Sequence, residues 1–119
     1  MLTLPAGQGY VKVTPIDANH CPGSCMFLLE HFSSSSCDSA SFIRAVLYTG
    51  DIRADPDWVD KLATLECLKP YVVSSGAEPV RRLDKIYLDT SAMLDNSALL
   101  SNVSAFFCRQ NPRAHHMIW

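Results

Sequence analysis

The sequence lacks the features that mark membrane, exported and strongly basic proteins. It has no apolar run near the roughly 20 residues that a membrane-spanning helix needs. It also has no N-terminal segment with a basic start, an apolar stretch and a small-residue cleavage site. Its 10 Lys and Arg are balanced by 12 Asp and Glu. Without a long apolar run, we expect a soluble chain with no membrane partner. Because the charges are balanced, no basic field covers the surface, and nucleic-acid binding would need a local site.

The cysteines are irregularly spaced and lack a paired motif. The five cysteines form an odd set without a Cys-x-x-Cys pair. This pattern predicts reduced thiols in a nuclear or cytosolic compartment rather than a disulfide framework. His20 with Cys21 and Cys25 would be the start of a structural zinc site, but no second pair of ligands follows, and the sequence does not favour that interpretation.

What the sequence does contain is a series of strand patterns. The chain has 119 residues, of which 48% are apolar, enough for one small domain with a buried core. Apolar alternation and short apolar runs predict four strands, at residues 10–16, 25–30, 45–50 and 85–89. Pro15 indicates a strand end or an edge position. A serine-rich loop at residues 32–41 predicts a hairpin between the second and third of these strands.

Two helices are expected between and after these strands. In the first, residues 55–68, Asp55 can cap the start, Pro56 suits the first helical position, and apolar residues recur at helical spacing. A second amphipathic helix is predicted at residues 95–109, before a last apolar stretch at residues 114–119 that is typical of a strand. Strands alternating with helices indicate the α/β class.

Three polar residues, His20, Asp51 and Asp89, fall at or just beyond strand ends. Side chains at the ends of neighbouring strands can converge on one pocket, which is how a metal site is assembled. Each residue also has an ordinary structural explanation: His20 as a hydrogen-bonded turn residue, Asp51 in an Asx turn, and Asp89 as a cap. We expect Asp17 to bond its own loop, and the Pro-Gly turn that follows His20 to hold that histidine in place.

Three separated blocks make the pattern specific. In order and spacing they resemble consecutive blocks of the DNA-repair branch of the metallo-β-lactamase/β-CASP nucleases, the group that contains Artemis and Apollo. The blocks are IDANHCPGSCMFLLE, VLYTGDIRADP and LDKIYLDT. The second is similar to the crosslink-repair members, whereas the third also suits fungal Artemis-like proteins. The resemblance implies an α/β fold, with residues 1–90 forming the C-terminal part of the metallo-β-lactamase αβ/βα sandwich and residues 91–119 beginning the β-CASP region.

The resemblance also implies roles for individual residues. His20 matches a metal ligand, Asp51 matches an aspartate that ligates or bridges the metal centre, and Asp89 matches the first acidic β-CASP motif at the active site. The implied chemistry is phosphodiester hydrolysis with one or two divalent ions such as zinc. The implied activity is a 5′–3′ exonuclease or a structure-specific endonuclease in crosslink or double-strand-break repair. Its partners would be damaged or 5′-phosphorylated DNA and DNA-repair proteins, in the nucleus.

Three arginines have open assignments. Arg53, two residues after Asp51, either contacts a phosphate or pairs with a nearby acid such as Asp55. Arg81 and Arg82 are expected to lie in a solvated turn, with contact to a DNA backbone as the alternative.

One feature of the family is missing. An HxHxDH block, which supplies most of the metal ligands in family members, occurs nowhere in the chain. His20 and Asp51 alone fall short of the three protein ligands typical of catalytic zinc. We therefore interpret the chain as an incomplete part of a nuclease, inactive by itself. Two alternatives stay open: a catalytically inactive interaction or structural module derived from the same fold, and an unrelated small protein whose strand-end acids form turns and caps.

Overall fold

The computed structural model of the chain describes residues 1–5, 8–33, 41–53, 55–72 and 79–88. Asp89, the predicted second helix and the predicted final strand lie outside these residues. The division of the chain into two regions near residue 90 therefore stays a prediction.

The described residues form a five-stranded sheet whose strands lie in sequence order. The strands are β1 (Leu2–Thr3), β2 (Tyr10–Asp17), β3 (Cys25–Phe32), β4 (Phe42–Tyr48) and β5 (Lys85–Tyr87). Neighbouring strands are antiparallel from β1 to β4, whereas β5 is parallel to β4. A parallel pair needs a crossover connection, and the segment between β4 and β5 supplies it.

The four predicted strands are confirmed, with shifted ends. The predicted hairpin is also confirmed, because β3 and β4 pair antiparallel with Phe27 opposite Tyr48. β1 has only two residues, too few to carry a periodic sequence signal. It pairs only with Tyr10 and Val11. Pro15 therefore lies on an edge part of β2 within the described sheet, where its missing N–H leaves no ladder bond unmade.

The first predicted helix is present but ends early. Helix α1 covers Pro56–Thr64, with Asp55 at its N-cap. It ends where Leu65 takes an extended backbone conformation, with ψ at 128°. A turn and a short 3₁₀ helix, Lys69–Tyr71, follow. The prediction that the helix continues to residue 68 is therefore wrong, although Leu68 is still buried in the core.

The core lies on one face of the sheet. Alternate side chains of β3 and β4 share one buried cluster with α1, since strand side chains alternate between faces and helix side chains recur about every 3.6 residues. Members of this cluster include Met26, Leu28, Leu47, Trp58 and Leu62. The opposite face is less covered, because Phe27 and Tyr48 are 39% and 51% exposed.

The strand directions bring several connections to one end of the sheet. β2, β4 and β5 finish at this end, and β3 begins there, so Asp17 lies opposite Cys25 and Tyr48 lies beside Tyr87. We call it the loop end. The prediction that strand ends converge is therefore confirmed for the strands that precede His20 and Asp51.

The predicted fold class is confirmed at the level of a mixed α/β structure. The five strands and little helix of the described residues are compatible with a fragment of a metallo-β-lactamase fold. None of the helices in this part of the chain has the length and apolar character of a membrane-spanning segment.

Candidate functional site

The histidine loop, residues 18–24, joins β2 to β3 at the loop end and carries His20. It starts with an Asx turn, in which the Asn19 N–H donates to Asp17 Oδ1 at 3.0 Å. The prediction that Asp17 bonds its own loop is therefore confirmed. This bond fixes the direction in which the chain leaves β2.

The second half of the histidine loop is a tight turn built on Ser24. The Ser24 N–H donates to the Cys21 carbonyl at 3.0 Å, and Gly23 has a φ of +89°, as the third position of a type II turn requires. The Ser24 hydroxyl accepts from the N–H groups of His20 and Cys21 at 3.3 and 3.1 Å, and it donates to the Cys21 carbonyl at 2.8 Å. These bonds hold the backbone of His20, as the sequence predicts.

The aspartate loop, residues 49–53, follows β4 and carries Asp51. Thr49 is fully buried, and its N–H donates to the Tyr87 carbonyl at 2.9 Å, which joins the loop to β5. Ile52 is buried in the core, whereas Asp51 beside it is exposed. The loop is thus anchored at two points and presents its carboxylate at the surface.

The histidine loop and the aspartate loop are bonded to each other. The Arg53 N–H donates to the Ala18 carbonyl at 3.3 Å. The side-chain amide of Asn19 donates to the Arg53 carbonyl and to Asp55 Oδ2, both at 3.0 Å. The two segments that carry the predicted metal ligands therefore meet at the loop end.

An open cleft of about 470 Å³ lies at this junction. It is lined by Asp17, Asn19, His20, Cys21, Pro22, Gly23 and Arg53. The structure thus brings two predicted site residues, His20 and Arg53, into one cleft. Asp51 is not among the lining residues and lies two positions before Arg53 on the adjoining loop. Asp89, the remaining predicted site residue, lies outside the described residues.

The guanidinium of Arg53 has no hydrogen-bond or ion-pair partner within the part of the chain that the structure describes. Asp55, the acid predicted as its alternative partner, instead accepts from Asn19. The alternative in which Arg53 pairs with Asp55 is therefore not observed within the described residues.

The candidate metal ligands are of the right chemical kind but too few in the described residues. His20 is exposed and its ring makes no hydrogen bond there, so a ring nitrogen is open to a cation. Imidazole nitrogen and the carboxylate oxygen of Asp51 are both ligands that zinc accepts. Within the described ranges, no group of three or more His, Cys, Asp or Glu side chains converges. His20 and Asp51 thus fit part of a metal site, which needs further ligands to be complete.

A second polar cluster, which the sequence analysis missed, lies on β3 away from the loop end. Glu30 is 2% exposed, and its Oε1 accepts from the Tyr71 hydroxyl and from Arg81 Nη1, both at 2.8 Å. Its Oε2 pairs with Lys12 Nζ at 3.3 Å. We call these four residues the carboxylate network. The expectation that Arg81 lies in a solvated turn is wrong, because a buried carboxylate needs charged partners and Arg81 is one of them.

The signal for this network was an acid at an inward position of a buried strand. Glu30 falls on the same face of β3 as Met26 and Leu28, which are both fully buried. Burial and then the contact with Glu30 raise the pKa of the Tyr71 hydroxyl above its usual value of 10.0. Tyr71 therefore stays protonated and donates to the carboxylate throughout the neutral range.

The chain is similar to known DNA-repair proteins over much of its length. It is 32% identical to the DNA cross-link repair protein PSO2/SNM1 of Saccharomyces cerevisiae over 83 residues, which are 70% of this chain and 11% of that protein. It is 36% identical to the 5′ exonuclease Apollo of Gallus gallus over 107 residues, 86% of this chain and 18% of Apollo. Protein artemis of Gallus gallus is 35% identical over 81 residues, 68% of this chain and 9% of that protein.

These relatives are much longer than the stretch that matches. The chain spans 11% of the length of the yeast protein and 18% of that of chicken Apollo. No family model matches the chain, and no solved structure matches it significantly. The resemblance drawn from the three sequence blocks is confirmed by the relatives. The chain is homologous to PSO2/SNM1, Apollo and Artemis over this partial stretch.

Proposed function

We propose that the chain is part of a metal-dependent DNA nuclease that hydrolyses phosphodiester bonds during DNA repair in the nucleus. One observation carries the proposal. The loops that hold His20 and Asp51 are hydrogen-bonded to each other at one end of the sheet, in a chain homologous to a cross-link repair protein and a 5′ exonuclease. The proposed substrate is damaged or 5′-phosphorylated DNA, with other DNA-repair proteins as partners.

In this proposal the cleft receives a phosphate group of the DNA. The guanidinium of Arg53 offers several N–H donors in a fork that matches phosphate oxygens. Because it has no partner among the described residues, it does not have to break an ion pair before it binds. The backbone of His20 is already fixed by Ser24, so little order has to be gained at the histidine loop when DNA arrives.

His20 and Asp51 would hold zinc or another divalent ion together with ligands from outside the described residues. His20 would bind as the neutral imidazole, and Asp51 would supply an anionic oxygen. Asp89, two residues after β5 in the chain, would be a further acidic group of the active site. When bound, such an ion supplies Lewis-acid assistance to phosphodiester hydrolysis. Since catalytic zinc usually has three protein ligands, we expect the 119-residue chain alone to be inactive.

Zinc binding to the purified chain tests the proposal first. Zn²⁺ is titrated into the 119-residue chain while the ring signals of the histidines are followed by NMR. We expect the His20 signals to shift and to respond less in Asp51→Asn. His31→Gln is the matched control, because the His31 ring contacts the Gln8 carbonyl at 3.0 Å and does not line the cleft.

DNA cleavage tests the proposal at the level of activity. We expect a longer protein that contains these residues downstream of an HxHxDH block to cleave a 5′-phosphorylated oligonucleotide. The same protein with His20→Ala should not cleave it. If transcript mapping shows no such upstream block and Zn²⁺ leaves the His20 ring unaffected, the nuclease proposal fails and the inactive interaction module takes its place.

A further inference from the structure

Asn19 uses both N–H groups of its side chain to join separate parts of the chain. Its Nδ2 donates to the Arg53 carbonyl and to Asp55 Oδ2, each at 3.0 Å. These bonds span 34 and 36 residues of sequence. Its backbone N–H donates as well, to the carboxylate of Asp17 at the end of β2. One side chain therefore connects the histidine loop to both the aspartate loop and the start of α1.

The backbone conformation at this position restricts which residue can do this. Asn19 has a φ of +54°, in the left-handed region that Asn, Asp and Gly adopt more readily than other residues. Of these three, only asparagine has two side-chain N–H donors. An aspartate would put carboxylate oxygens against the Arg53 carbonyl and the Asp55 carboxylate, and a glycine would offer no donor. The position therefore requires both the conformation and the donors of asparagine.

The behaviour of Asp55 shows that the contact competes with helix capping. An aspartate at an N-cap usually accepts from a backbone N–H in the first turn of its helix. Asp55 occupies the N-cap of α1 but makes no such bond among the described residues, and its Oδ2 accepts from Asn19 instead. The bond between the loop and the helix thus takes the place of a local stabilising bond.

We propose that Asn19 is the positioning residue of the candidate site. It sets the separation between the histidine loop and the aspartate loop, and so keeps His20 and Arg53 in one cleft beside the loop of Asp51. We call the two hydrogen bonds from the Asn19 side chain to Arg53 and Asp55 the clamp. The weaker backbone bond from the Arg53 N–H to the Ala18 carbonyl, at 3.3 Å, depends on this clamp. The effect of Asn19 on metal binding rests on the proposed function, whereas its effect on the geometry of the loops does not.

Amide hydrogen exchange of the full chain tests the clamp without a ligand. We expect the Arg53 N–H to exchange about 10-fold faster in Asn19→Ala and in the isosteric Asn19→Asp, because both side-chain hydrogen bonds of Asn19 are lost. Amides of β3 should be unchanged. Asp57→Ala is the control, since it removes an exposed carboxylate of the same helix turn that bonds neither loop within the described residues.

A double variant separates a clamp from general support of the fold. In Asn19→Asp combined with Asp55→Asn, donor and acceptor are exchanged, so the bond between positions 19 and 55 can form again while the bond to the Arg53 carbonyl cannot. We expect the Arg53 N–H to exchange at a rate between those of the parent and of Asn19→Asp. Unchanged exchange at Arg53 in Asn19→Asp, or equal acceleration of all β3 amides, would show that Asn19 is not a positioning residue.

A titration with Zn²⁺ alone distinguishes this inference from the proposed function. We expect the affinity measured at the His20 ring to fall at least about 10-fold in Asn19→Asp, as is typical when a residue that orients a ligand is changed. If the parent shows no response to Zn²⁺ but Arg53 exchange is accelerated in the variant, metal binding by this chain, one part of the proposed function, fails and the clamp is supported. If both proteins bind Zn²⁺ equally despite the faster exchange, the positioning role is overturned.

Discussion

The loop end and the carboxylate network hold polar side chains in opposite ways. At the loop end, His20 and Arg53 are exposed and their side chains have no partner among the described residues, while the backbone around them is hydrogen-bonded. In the network, Glu30 is buried and both of its oxygens are bound by other side chains. The first arrangement leaves side chains open to a ligand, and the second satisfies them internally.

The contrast shows how burial separates structural from functional polar residues in this chain. Removing a charge from water is costly unless the charge is paired and hydrogen-bonded. The buried carboxylate of Glu30 accordingly contacts Tyr71, Arg81 and Lys12, which lie in three other segments of the chain. The two arginines show the same difference. Arg81 pairs with Glu30 and lies 4.8 Å from the Phe42 ring centroid, whereas Arg53 faces a cleft. The two arginines therefore differ in role because their surroundings differ: Arg81 lies beside a buried carboxylate and Arg53 lies at an open cleft.

The largest expected effect is the loss of Glu30. Glu30→Ala should lower the free energy of unfolding by about 2 kcal/mol, because the buried Tyr71 hydroxyl loses its acceptor, whereas Lys12 and Arg81 keep part of their contact with water. The Tyr71 hydroxyl would lose its buried acceptor, and Arg81 and Lys12 would lose their carboxylate. Urea denaturation followed by circular dichroism measures this change.

His20→Ala is the matched variant at the loop end. Because the ring is exposed and has no partner among the described residues, we expect a change within about 0.5 kcal/mol. A loss at His20 as large as that at Glu30 would contradict the distinction between the two regions.

A smaller effect, with a pH signature, is expected at Tyr71. Tyr71→Phe should cost about 1 kcal/mol at neutral pH, since the buried carboxylate loses one donor. Burial raises the pKa of Tyr71 above 10.0, so its contribution to stability is complete below pH 10. At higher pH it falls, because the unfolded chain loses this proton while the folded chain keeps it. Above pH 10 the parent should therefore lose stability faster than Tyr71→Phe does.

Tyr48→Phe serves as the control for this pH dependence. The hydroxyl of Tyr48 is of the same kind but belongs to a side chain that is 51% exposed and lies outside the carboxylate network, so the comparison isolates the buried hydroxyl of Tyr71. Thermal unfolding between pH 8 and pH 11 compares the three proteins. Parallel curves for the parent and Tyr71→Phe above pH 10 would show that the hydroxyl is not held protonated by its surroundings.

The smallest effect concerns the exposed thiols near the loop end and the thiol of Cys67, which lies elsewhere in the chain. Cys21 and Cys25 are exposed on and next to the histidine loop, whereas burial raises the pKa of Cys67. Because the thiolate is the reactive form, iodoacetamide at pH 8 should label Cys67 at least about 5-fold more slowly. Peptide mass mapping reads out each site. In urea the three rates should become equal, and equal rates in the folded chain would contradict this prediction.

Strands and the location of the site could be predicted from the sequence because both depend on local pattern. Alternating apolar residues marked β2, and an apolar run marked β3. Polar residues at the ends of these elements marked the loop end, where His20 and Arg53 do share a cleft. Three ordered sequence blocks indicated the family, which the relatives confirm.

The remaining features depend on contacts between residues that are distant in sequence. Glu30 looks like one more residue of a strand until Tyr71 and Arg81 are placed beside it, 41 and 51 residues later. Asp55 stands at a position where the sequence predicts a helix cap, but its carboxylate accepts a hydrogen bond from Asn19 instead. The end of α1 at Thr64 was missed because the leucines that follow keep a helical spacing after the backbone has become extended.

The separation of 34 positions between Asn19 and Arg53 also bears on the order in which the chain folds. The β2–β3 hairpin closes over the short histidine loop, so it loses little entropy and can form early. The cleft can form only after β4 has paired with β3 and the aspartate loop has packed beside the histidine loop. Because these contacts are non-local, we expect the cleft to form late in folding. Substitutions at Asn19 should therefore affect the late closure of the two loops and leave the folding rate of the sheet nearly unchanged.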